Sequence, residues 1–325
     1  MIFDAPNAPF HLLLDPPAAG SWNMAVDEAL LEAAAVEGQC TLRFYQWAEP
    51  TLSLGYFQAY ADRNQHEASR RSAVVRRTSG GGAIMHDFDV TYSLAVPEGH
   101  PLAADRLGTY RVVHDALVEV LAELGIEASL FGGGAPGLGC GSENVGREGD
   151  GGGCWQEIHR IESVSPTTSS VPFNLANSVP VPGTSSAEGS QPPGHCLSQA
   201  VAHRGDERRP IPKQPFLCFQ RRATGDVLVK GEKVAGSAQR RSRGAVLQHG
   251  SVLFARSAAA PELDGLKELT AKTILVEEFI QAWLKRLSGA LAVTWRRGDL
   301  SEEHRRRATQ LAAEKYEAAA WTNAR

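Results

Sequence analysis

Four short stretches of this 325-residue sequence carry residue types that could do chemistry. The first is Arg76-Arg77-Thr78-Ser79-Gly80-Gly81-Gly82-Ala83, followed by His86-Asp87. Three consecutive glycines let backbone approach a ligand closely and accept a positive φ. Amides at such a strand-to-loop junction can cradle a phosphate or a carbonyl oxygen, with Arg77 beside them as an anion clamp. The spacing is neither G-x-x-x-x-G-K-S/T nor G-x-G-x-x-G, so neither nucleotide-binding mechanism transfers. A plain tight turn would use the same glycines. The second stretch is Gly231-Glu232-Lys233-Val234-Ala235-Gly236-Ser237-Ala238-Gln239. A strand lysine beside small residues can project into the space that Gly236 and Ala238 leave, and polarise an acyl carbonyl or act as a base. Taken alone, most strand lysines are simply solvated.

The third is Cys218 in Pro215-Phe216-Leu217-Cys218-Phe219, where apolar neighbours are also what a small core cysteine would have. Its charge surroundings point the other way. Between Lys213 and His249, eight Lys and Arg stand against only Asp226 and Glu232. That surplus favours a thiolate nucleophile and attracts an acidic partner, although a solvated basic face would look the same. The fourth is Gln248-His249-Gly250-Ser251, in which His249 reads as a satisfied core histidine with no acid–base role.

The whole chain is close to neutral, with 33 Lys and Arg against 37 Asp and Glu, a formal net charge of −4. This gives no reason to expect nucleic-acid binding. No apolar run approaches the ~20 residues that span a bilayer, and residues 1–10 lack the basic and apolar regions of a signal peptide. Five scattered cysteines in a chain of this length fit a reducing, cytoplasmic compartment rather than a disulfide scaffold. Between residues 132 and 210 lie 15 of the 32 Gly and 8 of the 18 Pro, with no strand or helix period. That segment reads as a low-complexity, disordered insertion. Its Cys140, Cys154 and Cys196, with His195 and His203, lack the C-x-x-C or H-x3-H spacing of a zinc site, so no metal is expected.

The elements that must position the four stretches lie on either side of the insertion. Ser21 can cap a helix through Met24, Glu28 and Leu31. Residues 44–47 and 51–54 read as strands about a Glu49-Pro50 turn, 74–77 as a strand entering the glycine loop, and 83–96 as a strand pair broken near His86. Tyr110, Val113, Leu117, Val120 and Leu121 recur at helical spacing, with Gly125 placed to end that helix. A hairpin is expected over 226–239 about Lys230-Gly231, then a strand at 244–254. Val276, Phe279, Ile280, Trp283 and Leu287 mark another amphipathic helix, and Ser301 can cap one reaching Tyr316. Without regular βαβ alternation, the fold class is α+β, a mixed or antiparallel sheet with helices packed on it.

Together these stretches resemble the biotin/lipoate protein ligase catalytic family, in its lipoate-ligase and octanoyltransferase branch. The resemblance runs through Asn23-Met24-Ala25-Val26-Asp27-Glu28, Leu54-Gly55-Tyr56-Phe57-Gln58, residues 76–87, residues 233–239, and Glu314-Lys315-Tyr316 with Trp321. It implies one discontinuous catalytic domain, residues 1–131 and 211–325, interrupted by 132–210. The Pro-x-x-Cys-Phe element looks like the transferase form with a cysteine nucleophile. One departure is Gln220-Arg221-Arg222-Ala223, where an aromatic region is usual.

The resemblance implies that Cys218 and Lys233 are catalytic. It assigns substrate binding to Arg77, Ser79, Gly80, Gly81, Gly82, His86, Gly236, Ser237 and Ala238. The donor it implies is octanoyl-acyl carrier protein, and the acceptor a lysine of glycine cleavage H protein or of a 2-oxoacid dehydrogenase E2. No cofactor is implied, since thioester-to-amide transfer runs downhill without ATP or a metal. The alternatives are an ATP-dependent lipoate ligase, an amidotransferase between lipoyl domains, and a binding protein without activity.

Overall fold

The computed structural model describes residues 10–133 and 214–325. Beyond its first two residues, the insertion read at 132–210 lies outside the described residues, as do Cys140, Cys154, Cys196, His195 and His203. The described residues all belong to a unit built from Met1–Leu138 and Pro212–Arg325.

Eleven strands are present among them: β1 (Phe10–Leu14), β2 (Thr41–Tyr45), β3 (Thr51–Leu54), β4 (Ala73–Arg76), β5 (Ile84–His86), β6 (Asp89–Pro97), β7 (Ala128–Leu130), β8 (Val227–Val229), β9 (Glu232–Ser242), β10 (Ala245–Leu253) and β11 (Trp295–Arg297). The helices are α1 (Gly20–Glu37), α2 (Pro101–Ala104), α3 (Arg106–Glu123), α4 (Leu266–Thr270), α5 (Val276–Leu291), α6 (Glu302–Leu311) and α7 (Ala319–Thr322). Eight strands form one mixed sheet in the order β11-β1-β2-β6-β10-β9-β8-β7. Only the β1 pairings with β11 and β2 are parallel in it. A second sheet, β4-β3-β5, has three strands. The mixed sheet with packed helices agrees with the expected fold class.

Alternation along the central strands sends side chains to opposite faces of the large sheet. Leu12, Leu42, Phe44, Tyr92 and Val246 join Leu117 and Val120 of α3 and Phe279, Trp283 and Leu287 of α5. Leu13, Tyr45, Ala95 and Leu247 face Met24, Leu30 and Leu31 of α1 and Ala308 and Leu311 of α6. The small sheet has its own core of Leu52, Leu54, Ala83 and Met85, closed by Leu217 and Ala260. No helix among the described residues is long and apolar enough to cross a membrane.

Several local expectations hold. Gly125 takes φ 66° after α3, β8 and β9 form the hairpin, and the Ser301 hydroxyl accepts from His304 N–H at the start of α6. Two do not. Helix α1 begins at Gly20 after Ala19, with no side-chain cap from Ser21. Its start is fixed by packing instead: a Cβ on Gly20 would stand 2.9 Å from Thr51 Cγ2 and 3.0 Å from Trp47. Asn23 Nδ2 also donates to the carbonyls of Ala18 and Gln46. The strands at 84–86 and 89–97 are not the expected pair, because they divide between the two sheets; those expected at 44–47 and 51–54 are strands, the first lying at 41–45, and they too belong to different sheets.

Candidate active site

Two adjacent arginines build the glycine loop. Arg76, fully buried, donates to the carbonyls of Gly55 at 3.0 Å, Gln58 at 2.7 Å and Thr322 at 2.8 Å, tying the loop after β3 to α7. Arg77 reaches the other way. Its Nη2 donates to Gly80 O at 2.9 Å and Gly82 O at 2.6 Å, and its Nη1 to Ser53 O at 2.8 Å. Both glycine carbonyls are thus turned onto one guanidinium, whose pKa burial pulls down to about 10. Gly81 has φ 94°, and its oxygen lies where a Cβ on Gly55 would fall, so both positions require glycine. Arg77 therefore spends its two Nη groups on Ser53 and the loop, while its buried Nε has no hydrogen-bond partner among the described residues.

Cys218 is anchored beside this loop. Ala83 N–H donates to Phe216 O at 3.1 Å, and Cys218 N–H to Ala83 O at 2.7 Å, while Leu217 drops into the small-sheet core. A single 3-10 turn, Cys218–Gln220, follows and leaves the thiol half-buried.

Lys233 approaches from the large sheet. Its side chain is buried on β9, with Nζ 2.8 Å from Asp226 Oδ2 and 4.0 Å from Cys218 Sγ. Gly236 makes the passage, since a Cβ there would lie 2.5 Å from Lys233 Cε. On the neighbouring strand, opposite Ser237, a Cβ on Gly250 would run into Ser237 Oγ and lie 2.7 Å from Gly236 O. Ser237 is held by a directional chain. His114 Nδ1 lies 2.6 Å from Gly225 O, which only accepts, so in the neutral ring Nε2 takes the Ser237 proton at 2.6 Å. Tyr92 O–H then donates to Ser237 Oγ at 2.7 Å, and Gln248 Nε2 to Tyr92 at 2.7 Å.

One pocket is lined by Cys218, Lys233, Arg77, Gly80, Gly81, His86, Gly236, Ser237 and Ala238, so nine of the eleven anticipated residues meet there. Met24, Tyr45, Trp47, Ile84 and Phe219 give it apolar walls. Ser79 and Gly82 stand behind the lining. Ser79 Oγ is 2.5 Å from His249 Nε2, and a Cβ on Gly82 would run into Arg221 at 2.9 Å. His86 presents a ring stacked on Trp47 at 3.8 Å. Its Nε2 contacts Ser53 Oγ at 2.9 Å and its Nδ1 Asp89 Oδ2 at 2.8 Å, and loss of hydration keeps its pKa below the ordinary value.

Sequence reasoning missed Asp226, His114 and Asp27, and gave His249 to the core. His249 lines the pocket, with Nδ1 3.3 Å from Asp27 Oδ2. The signal for Asp226 was available: it opens the short strand whose Leu228 pairs with Lys233 across a two-residue turn. Among the described residues no group of three or more His, Cys, Asp or Glu is placed to hold a metal ion.

The thiol and the glycine loop travel with the small sheet, whereas Lys233, Ser237 and His249 travel with the large one. The site is the seam between them. A family profile described as lipoyl protein ligase A/B catalytic domain matches residues 19–145 and 213–262, over half of the chain. A relative from Geobacillus kaustophilus named octanoyltransferase LipM is 28% identical over 94% of this chain and 94% of its own. A Bacillus anthracis protein of the same name is 28% identical over 93% of each. Among solved structures, a lipoate-protein ligase A bound with ATP matches with TM-score 0.59 at 18% identity over 97% of this chain and 99% of its own. A bi-partite lipoate protein ligase from Thermoplasma acidophilum matches at 0.57 and 18%, over 97% and 96%. These two likenesses establish the fold. The chain belongs to the lipoyl protein ligase A/B catalytic domain family.

Proposed function

We propose that this chain is an octanoyltransferase of protein lipoylation, acting through an acyl-cysteine at Cys218, and that residues 1–131 and 211–325 form its catalytic domain. The observation that carries the reading is the 4.0 Å approach of Lys233 Nζ to Cys218 Sγ inside one apolar-walled pocket. The relatives named octanoyltransferase LipM support the acyl group and the reaction class.

The donor is octanoyl-acyl carrier protein. The Cys218 thiolate attacks the thioester carbonyl; a new sulfur–carbon bond forms, the carrier's breaks, and the departing carrier thiolate takes up the proton that Cys218 lost. The ε-amine of a lysine on a lipoyl-accepting protein, glycine cleavage H protein or a 2-oxoacid dehydrogenase E2, then attacks the acyl-cysteine. A carbon–nitrogen bond forms, the carbon–sulfur bond breaks, and the amine's proton returns to the sulfur. Lys233 opposes the negative charge that develops on the acyl oxygen in both steps. Gly80 and Gly81 border the same space, and the Gly80 and Gly82 carbonyls are occupied by Arg77. Burying the octanoyl chain against Met24, Trp47, Ile84 and Phe219 contributes several kcal/mol at ~0.8 kcal/mol per CH₂, enough to discriminate against short acyl groups. Such a reaction needs neither a cofactor nor a membrane, and belongs in a soluble, cytoplasmic setting.

Mass spectrometry of the protein mixed with octanoyl-acyl carrier protein tests this. An octanoyl adduct on Cys218 that disappears when a lipoyl-accepting domain is added is the expected result. Wild-type transfer by Cys218→Ala, or incorporation of free lipoate that requires ATP, would overturn it.

A further inference from the structure

We propose that Asp226 is a positioning residue for the transfer, holding the Lys233 ammonium back from the Cys218 sulfur so that it stays aimed at the space where the acyl oxygen develops. The inference rests on the Cys218 and Lys233 roles given above.

Three distances carry it. Lys233 Nζ is 2.8 Å from Asp226 Oδ2 but 4.0 Å from Cys218 Sγ, so the ammonium is committed to the carboxylate and only faces the sulfur. The same Oδ2 accepts from Ala223 N–H at 2.7 Å, which fixes the carboxylate independently of the lysine. The backbone around it is fixed as well. Phe131 N–H donates to Asp226 O at 2.8 Å, and Gly225 N–H to Phe131 O at 2.9 Å, while the Gly225 carbonyl receives His114 Nδ1. The carboxylate is thus a rigid post on the edge side of β9, and Gly236 provides the gap through which the lysine reaches it.

A lysine without that post would behave differently. Buried ammonium and thiolate attract strongly in a medium of low polarity. Left as a pair they would close into direct contact, and an approaching thioester would first have to separate them. Among the described residues, no carboxylate other than Asp226 is bonded to Lys233, so the sulfur is the anion it would turn to. Asp226 trades some of the sulfur's reactivity for a lysine that remains in place when the sulfur becomes acylated and loses its charge. The other charged or titratable groups about the pair are Arg77 and Arg221 on the Cys218 side, the phenol of Tyr110, which feels the charge of both Cys218 and Asp226, and His114, which feels that of Asp226 and Lys233; none of the four is hydrogen-bonded to the Asp226 carboxylate.

The test separates position from charge. In Asp226→Asn the competing anion is gone, so iodoacetamide alkylates Cys218 severalfold faster at neutral pH, and the alkylation profile moves by about one unit to lower pH. Octanoyl transfer by the same variant nevertheless falls roughly tenfold to hundredfold in kcat, with KM little changed, because the lysine is displaced by about an ångström. A merely structural carboxylate would not make the thiol more reactive as the enzyme became slower. Asp226→Glu is the second variant and serves if the first does not fold. It keeps the charge but shifts the post by one methylene, so kcat falls while the alkylation profile stays at its wild-type position. Wild-type kcat in either variant overturns the proposal, as does an Asn profile that is unmoved or displaced to higher pH. The alkylation readout involves no octanoyl group, so loss of the acyl-cysteine reading (activity surviving in Cys218→Ala) is recognised separately from loss of this one.

Discussion

Arg43 Nη1 lies 2.9 Å from Asp27 Oδ1 with the arginine side chain wholly buried. The same carboxylate accepts from Tyr45 and Ser93 and contacts His249, so one anion joins α1 to three strands of the large sheet behind the pocket. Burial opposes its charge, but the bonds from His249, Arg43 and Ser93 outweigh that and hold its pKa below the usual carboxylate value. Its contribution to stability is therefore present above the unfolded-state pKa near ~3.9 and lost as pH falls toward the folded value. Asp27→Asn leaves Arg43 paired only with Asp15 and is expected to cost about 3–5 kcal/mol. Urea midpoints at pH 7 measure the loss, and those below pH 4 should show the gap between variant and wild type narrowing.

A second acid limb begins at higher pH. His86 and His114 are buried, and loss of hydration comes first among the causes that hold both imidazoles below their ordinary value. The unfolded chain binds protons at both near ~6.5 while the folded chain does not, so stability declines as pH drops below that point. Each histidine adds at most about 1.4 kcal/mol per pH unit to the slope. His114→Asn is expected to be less stable at pH 8 yet to lose stability less steeply between pH 6.5 and 5. Urea midpoints at half-unit intervals would show an unchanged slope if His114 took no part.

Two glycines on facing strands should respond to alanine for different reasons. At position 236 the new Cβ meets Lys233 Cε and Nζ and stands 3.0 Å from Asp226 Oδ1, so the lysine can yield only by loosening its buried ion pair. Gly236→Ala is therefore expected to lose transfer activity at least tenfold and to cost about 1–3 kcal/mol through that pair. At position 250 the Cβ meets the Gly236 carbonyl at 2.7 Å, and backbone cannot yield without disturbing the ladder. Gly250→Ala should cost roughly 1–3 kcal/mol as an overpacked site. Thermal unfolding alongside an octanoyl-transfer assay distinguishes the two.

Arg77→Lys keeps the charge and loses the fork. A single ammonium cannot reach Ser53 on one side and both glycine carbonyls on the other, as the guanidinium does. The expected cost is about 2–4 kcal/mol of stability and at least a tenfold fall in kcat, because the loop amides lose their fixed direction. Wild-type turnover in this variant would show that the loop holds its shape unaided.

Much of the scaffold could be read from residue order, because its determinants are local. The period of Phe279, Trp283 and Leu287 marks α5, Lys230-Gly231 marks the hairpin, and Gly125 marks the end of α3. What escaped depends on contacts between segments far apart in the chain. The residue types at 44–47 and 51–54 mark two strands, the first of which lies at 41–45, but carry no information about which sheet each joins. The start of α1 looked like a matter for Ser21, yet it is settled by Trp47 and Thr51 crowding Gly20. At the site, the residue types of Cys218, Lys233 and the glycines advertised chemistry. Asp226 was legible through the hairpin that sets it against Lys233, seven residues on, whereas His249 looked ordinary because its partner Ser79, at 2.5 Å, comes from a loop far away in the chain.

Because the sulfur rides on one sheet and the nitrogen on the other, their separation works as a gauge of how the two layers are seated. The Trp47–His86 stack and the His86–Asp89 bond sit where the chain crosses from one layer to the other, inside the hydrocarbon-lined chamber but without a reacting atom. Wear at that joint would register as slowed chemistry before it registered as unfolding, so variants that damage this enzyme need not touch anything that reacts.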